Sequence, residues 1–256
     1  MVTINTEELF QTLAHAPIVE AVIDIRSRSA ETLTEDLVRE RVDPKIHDFA
    51  FLDSLKEFHH EFKLEGGNAP SQTLQHLGWK GVRYRSKDEK YITQFNRDGF
   101  VISRLEPYEN WLNLFSEAMR LWVIYCELAR PLELSRLGLR YINRIRLPPG
   151  DLEFEQYLTP PPLPPRGLDL PYSEFIHRET LAVVGHPYGI NLIKTLQPPT
   201  DIANEGFGLI VDIDVFTIDL ANLAVEYVPH RLAEMRWLKN KAFFGSVTDK
   251  SFNLFG

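Results

Sequence analysis

The sequence predicts an α+β protein built from two related β-α-β(3–4)-α units, with antiparallel sheets and long helices covering one side. Three observations predict it. Pro17-Ile-Val-Glu-Ala-Val-Ile-Asp-Ile-Arg26 and Pro131 through Arg146 are both strand-like segments entered from a proline and closed by an arginine. Each is followed by a candidate helix, then β-rich sequence, then a long amphipathic helix. Short polar turns between the β segments imply hairpins, hence antiparallel sheets with one face packed against helices. The boundary falls between residues 130 and 131. Units 1–130 and 131–256 are expected to pack as one globular body around a pseudo-twofold seam.

The elements follow in order. Asn5-x-x-Glu8 has the spacing of a capping box for a short helix, with Pro17 beyond it. Val19, Ala21, Ile23 and Ile25 alternate with Glu20, Val22, Asp24 and Arg26, the period of a half-buried strand. Glu31 to Val42 predicts a helix stopped before Pro44. Asp43 to Phe58 predicts an irregular loop with one helical piece. Phe62 to Glu65 predicts a short strand ended by Gly66-Gly67-Asn68. Trp79–Arg85 and Tyr91–Asn96 read as a hairpin around Ser86-Lys87-Asp88-Glu89. Asn96-Arg97-Asp98-Gly99 is a turn into Phe100–Leu105. Pro107 suits the first turn of a helix. Trp111, Leu114, Phe115, Ala118, Leu121, Trp122, Tyr125 and Leu128 then repeat at helical spacing up to Pro131, the pattern of a core-facing stripe.

The second unit opens with a long strand, Leu134–Leu147, and a short helix over Leu152–Leu158. Eight of the 17 prolines fall between Pro148 and Pro171. This stretch predicts a rigid, polyproline-like surface connection. Pro161-x-x-Pro164 also fits a recognition spacing. Strands are expected over Tyr172–Val184, Tyr188–Gln197 and Phe207–Asp219, with a loop at Pro198–Gly206. Pro229 starts the closing helix, whose apolar face is Leu232, Met235, Leu238, Ala242 and Phe243. Thr248-Asp249 caps a final turn. This order is the one used by TATA-box-binding-like and helix-grip-like folds, a topological analogy that carries no function.

Composition narrows the class. The chain has 256 residues, 44% hydrophobic and 25% charged, enough to bury a core without staples. The net charge of −8 argues against a general polyanion binder. One cysteine, Cys126, excludes an intramolecular disulfide, and its place in an amphipathic helix predicts a packed thiol. The N-terminus lacks the basic start and apolar run of a signal peptide. The most apolar stretch, Leu121–Ala129, is interrupted by Glu127 and too short to span a bilayer. A cytoplasmic protein without a membrane partner is expected.

Pro17-Ile18-Val19-Glu20-x-Val22-x-x-Ile25-Arg26, Gly138-Leu139-Arg140-Tyr141-Ile142-Asn143-Arg144-Ile145 and Phe243…Thr248-Asp249…Leu254-Phe255-Gly256 together resemble a sporadically distributed bacterial family of uncharacterised proteins of similar length. The resemblance spans the chain and implies a bacterial, self-contained protein. It implies no activity, cofactor or catalytic residue.

No phosphate loop, His-Glu-x-x-His, paired Cys-x-x-Cys or Gly-x-Ser-x-Gly is present. His59-His60-Glu61 is the one close histidine cluster, and a strand there would send His60 to the opposite face from His59 and Glu61. The candidate site residues are charges at alternate strand positions. Glu20, Asp24 and Arg26 share one face of the first strand. Arg140, Arg144 and Arg146 share one face of the strand opening the second unit, and Asp212 and Asp214 one face of the last. Convergence of these faces would make a concave surface with both signs. Arg140, between Leu139 and Tyr141, is expected to be a buried arginine needing a partner. Cross-strand ladders alone would also explain the pattern, each pair contributing roughly 0.2–1 kcal/mol.

The leading expectation is a non-catalytic module binding a small anionic ligand or a protein partner. Arg140, Arg144 and Arg146 would be the anion contacts, oriented by Asp212 and Asp214, with no cofactor. A metal-assisted phosphohydrolase is the alternative. Glu20, Asp24, Asp212 and Asp214 would then hold magnesium, which the triphosphate-tunnel style suggests but the Glu-x-x-x-Asp-x-Arg spacing does not match. A nucleic-acid-binding saddle using Trp79, Arg83 and Arg85 comes third. Exposed edge strands allow a homo-oligomer.

Overall fold

The computed structural model describes residues 2–63, 71–148, 153–168, 170, 172–197, 206–219 and 223–256; the side chains of 59–63, 71–74 and 76 lie outside that description. The His59-His60-Glu61 cluster, the Gly66-Gly67-Asn68 turn and most of the Pro198–Gly206 loop therefore fall outside it.

The first half runs β1 (Ile18–Ser29), α1 (Glu35–Val42), a 3-10 turn at Asp43–Lys45, β2 (Phe49–Lys63), β3 (Ser71–Ser86), β4 (Tyr91–Asn96), β5 (Gly99–Leu105) and α2 (Trp111–Ala129). The second runs β6 (Pro131–Arg146), β7 (Ile176–Ala182), β8 (Tyr188–Gln197), β9 (Gly208–Thr217), α3 (Val228–Phe244) and α4 (Asp249–Phe252). The described strands form one continuous sheet in the order β2-β3-β4-β5-β1-β6-β9-β8-β7. Every pairing is antiparallel. The seam between the halves is the β1–β6 pairing, with Val22 opposite Arg140 and Asp24 opposite Gly138.

Period-two alternation separates the two faces of this sheet. Ala21, Ile23 and Ile25 of β1, Leu137, Leu139 and Tyr141 of β6, and Val211, Ile213 and Val215 of β9 are buried. They meet the apolar stripes of the helices: Leu114, Ala118, Leu121 and Tyr125 from α2, Leu232, Met235 and Leu238 from α3. Edge-on aromatic contacts tie this layer together, such as Phe95 to Phe100 with centroids 5.6 Å apart. The intervening strand residues, including the charged ones, face the opposite, open side.

Local chemistry sets the helix ends. Thr34 caps α1, its hydroxyl accepting from the Leu37 N–H at 3.3 Å, so the helix starts four residues later than the Glu31 start expected. Asn110 caps α2 by accepting from the Asn113 N–H at 2.8 Å, which leaves Pro107 outside the helix. Thr248 caps α4 as expected from sequence.

Other expectations are corrected. No helix forms at Asn5–Glu8. The Asn5 side chain accepts from Glu7 N at 3.1 Å in a turn, and the Glu8 carboxylate is drawn to Trp237 Nε1 at 2.7 Å and Lys241. A tertiary partner outcompetes the capping box. The segment expected to be a loop up to Phe58 is mostly strand. Register shifts at Phe51/Asp53, Leu55/Lys56 and Glu57/Phe58 break the alternation that would have revealed β2. The strand expected at Phe62 is the end of β2, and the strand expected from Tyr172 begins at Ile176. In place of a helix over Leu152–Leu158, the described residues hold a 3-10 turn at Phe154–Gln156. Among the described residues, no helix is long and apolar enough to cross a membrane.

Candidate functional site

The open face carries two charged regions, and the expected site residues divide between them. The first lies at mid-sheet over β1, β6 and β9. Arg26 and Arg136 stand directly opposite each other in the β1–β6 register, a repulsive placement if unmediated. Asp24 Oδ2 mediates it, accepting from Arg136 Nε at 3.0 Å and Arg26 Nε at 3.3 Å. Arg136 Nη2 then reaches Asp214 on β9 at 3.1 and 3.2 Å. One guanidinium thus bridges three strands. Burial works against its charge, but the Asp214 and Asp24 carboxylates outweigh that, and its pKa lies above the ordinary arginine value.

A glycine makes the bridge possible. A Cβ at Gly138 would stand 2.8 Å from Arg136 Nη2, in the path the side chain takes across β6. Arg136 was absent from the expected site, although its position two residues before Gly138 and four before Arg140 puts it on the same face. The signal was the i, i+2, i+4 parity of β6 extended towards its N-terminus.

Arg140 pairs with Asp212 rather than with Asp214, its direct register partner. Nε and Nη2 donate to the two Asp212 oxygens at 2.8 and 2.6 Å, a bidentate fork that raises the Arg140 pKa. The expected burial of Arg140 is corrected: its side chain is 48% exposed, because strand parity sends it to the open face while Leu139 and Tyr141 go inward. The buried arginine is Arg104 on β5, 2% exposed. Its Nη2 donates to Pro107 O at 2.8 Å and Glu109 at 3.2 Å, and its guanidinium lies 4.9 Å from the Tyr91 ring centroid.

Asp24, Arg26, Arg136, Arg140 and Asp214 border a concavity of about 310 Å³ that also reaches Lys80 and Asn96. The arginines here are neutralised by the aspartates they touch. Glu20, Asp24, Asp212 and Asp214 all face this side, as the magnesium alternative requires, but the three aspartates are committed to arginines. Among the described residues, no group of three His, Cys, Asp or Glu side chains converges for a metal ion.

The second region lies farther along β6. Arg144 and Arg146 line a concavity of about 520 Å³ with Pro17, Ile18, Tyr108 and Phe255. The Arg144 backbone N–H anchors the start of β1 by donating to Pro17 O at 2.7 Å. Arg144 Nη2 sits 3.4 Å from each oxygen of Glu106, whose carboxylate is 57% exposed. That contact is long and its carboxylate is exposed, whereas the fork on Asp212 is short, bidentate and made to a carboxylate that is 10% exposed, so Arg144 is the less neutralised of the two. Arg146 is exposed and has no ion pair among the described residues. The lining is mixed: Pro17, Ile18, Val19 and Phe255 stand beside His15, Glu106 and the two arginines. This is an open cationic concavity with one weakly engaged carboxylate.

Of the three residues expected for a nucleic-acid saddle, Trp79 Nε1 and Arg85 Nε are buried without a hydrogen-bond partner among the described residues. Arg83 forks onto Asp53. Burial pushes the Cys126 thiol up to about 11, so little thiolate forms at neutral pH. Lys194, buried on the helix side of β8, donates to Thr159 O at 3.0 Å and Pro160 O at 3.3 Å, pinning the middle of the proline-rich connection.

No family model matches the chain, and no curated protein matches it.

Proposed function

We propose that this protein is a non-catalytic cytoplasmic module that binds a small anionic ligand at the Arg144–Arg146 concavity. The observation that carries the reading is the contrast between the two arginine groups on one strand. Arg136 and Arg140 are satisfied by short carboxylate contacts, whereas Arg144 and Arg146 face a mixed polar and apolar hollow with little neutralisation. Guanidinium groups in that state favour phosphate or carboxylate partners. The role imagined for Arg140 changes accordingly, from anion contact to strand clamp.

The strand order supports a finer architectural reading. Each half places its first strand at the seam, its last strand beside that, and earlier strands outward. A long helix ends each set of strands. We read this as a duplicated unit in a TATA-box-binding-like arrangement, and the bacterial resemblance as kinship.

The test is a thermal-shift screen with inorganic phosphate, pyrophosphate, ATP and citrate. A ligand at about 100 times its Kd stabilises the native state by roughly 2.7 kcal/mol, which is readily seen as a raised midpoint. The expected result is a shift with one anion class that disappears in Arg144→Ala and Arg146→Ala but persists in Arg140→Ala. A shift surviving in the Arg144→Ala/Arg146→Ala double variant would sink the assignment. No shift with any anion would also end it and favour a protein partner.

A further inference from the structure

A second cavity of about 190 Å³ lies between the N-terminal segment, the start of α2 and α3, adjoining the Arg144–Arg146 concavity through Pro17, Ile18 and Tyr108. Phe10, Trp111 and Phe244 form apolar walls. Lys239 of α3 places Nζ 4.0 Å from the Tyr141 ring centroid, and the Tyr141 hydroxyl lies 2.9 Å from that of Tyr108. Arg236, one helical turn earlier, borders the same cavity, with its guanidinium 5.8 Å from the Trp111 ring centroid.

The titratable groups facing Lys239 can be taken element by element. The loop before α2 contributes Tyr108 and Glu109, β6 contributes Tyr141, α3 contributes Arg236, and the N-terminal segment contributes none. Glu109 is engaged elsewhere, accepting from Lys90 at 2.8 Å, Arg104 at 3.2 Å and Asn113 at 2.7 Å. Neither Lys239 nor Arg236 has an ion pair among the described residues. Burial, and secondarily the Arg236 charge, bring Lys239 down to about 7. Lys239 is partly buried and Arg236 is exposed, and a lysine partly withdrawn from water beside another cation is driven towards the free, nucleophilic amine near neutral pH. Burial holds Tyr108 up at about 12 and pushes Tyr141 well above the ordinary phenol value, so both phenols stay protonated and neither supplies a counter-charge.

The cavity joins this amine to the exposed guanidinium of Arg236, a cation that suits a carboxylate. Its volume equals that of about six waters at roughly 30 Å³ each, so it suits a ligand of a few carbons. We propose that Lys239 condenses reversibly with a small 2-oxo acid whose carboxylate is held by Arg236. The neutral amine adds to the carbonyl carbon, forming the C–N bond. The C=O π pair moves to oxygen, which takes the proton that the nitrogen sheds and becomes the hydroxyl of a carbinolamine. A second proton, from solvent, lets the C–O bond break with loss of water as the nitrogen lone pair closes the protonated imine. No oxidant or reductant takes part.

The test is reductive trapping of the full chain with pyruvate and borohydride at neutral pH, with the labelled lysine mapped by mass spectrometry. Lys239 should be labelled at least ~10-fold more than surface lysines, because an ordinary lysine amine is almost wholly protonated at neutral pH. Arg236→Gln should lower the ratio of pyruvate to acetaldehyde labelling, because acetaldehyde has no carboxylate to hold. Equal labelling across lysines would overturn the proposal, as would an unchanged ratio in Arg236→Gln. Lys239→Met should lose the label, and mapping on the unaltered chain decides the matter even if that variant fails to fold. Arg144→Ala should label normally, which separates this site from the anion concavity.

Discussion

Arg136 shows how one side chain can join three strands. Its guanidinium holds Asp24 on β1 and Asp214 on β9, carboxylates that are each 18% exposed. Removing it leaves two half-shielded negative charges close together with less compensation. Arg136→Met should therefore destabilise the fold by about 1–3 kcal/mol, below the full cost of breaking a fully buried pair. Urea denaturation would show this as a lowered midpoint. Lys239 makes a pH-dependent prediction. Its folded pKa, about 7, lies below the ordinary lysine value, so between pH 7 and 10 the unfolded chain binds more protons than the folded one. Stability from this group must rise with pH across that window, and its full penalty applies below pH 7. Lys239→Met should stabilise the protein below pH 7, on the order of 2 kcal/mol, with the gain fading towards pH 10. A gain independent of pH would show that Lys239 is not desolvated. Among residues, alternation on β1, β6 and β9 revealed which charges share a face. It did not reveal which carboxylate each arginine takes, because Arg140 reaches diagonally to Asp212 and Arg144 reaches Glu106 beyond its neighbouring strand.

Elements were most legible where periodicity is long and uninterrupted. The α2 stripe and the alternation of β8 and β9 are such cases. β2 was not, because its irregular register scatters the apolar positions. The segment at Asn5–Glu8 shows the opposite failure, a local signal overridden by Trp237 and Lys241, which lie more than two hundred residues away in sequence. The junction between halves is also strained. Arg130, the C-cap of α2, adopts φ 46° and ψ 67°, in the left-handed region. Arg130→Gly should relieve that cost while losing an exposed 3.3 Å ion pair to Glu31. The expected outcome is a net stabilisation of about 0.5–1 kcal/mol, read as a higher melting temperature. A lower melting temperature would mean that the ion pair or the chain entropy outweighs the strain.

At the scale of the whole molecule, the seam decides the behaviour. β1 and β6 pair along most of their length, so each half supplies the other's missing neighbour. Separating residues 1–130 from 131–256 would expose two long, unpaired strand edges at the molecule's centre. The intact chain should therefore unfold in one cooperative step, with tryptophan fluorescence and far-ultraviolet circular dichroism giving coincident urea curves. Two separated transitions would show that the halves are independent domains. The outer edges, β2 and β7, carry exposed Phe51, Ile176 and Leu181, where a second copy could pair.

The sequence by itself determined the class of the fold, the helix stripes and the charged face of the central strands. Those features depend on local periodicity, turns and caps, which act over a few residues. Only the tertiary structure decided that the halves share one sheet, that Arg136 and not Arg140 is the three-strand bridge, that Arg104 is the buried arginine, and that Arg144 and Arg146 border a separate hollow. It alone brought Lys239 beneath Tyr141 and beside a cavity. These outcomes depend on contacts between residues far apart in the chain, and neither the reach of a long side chain nor the burial of an amine is encoded in the pattern of its neighbours.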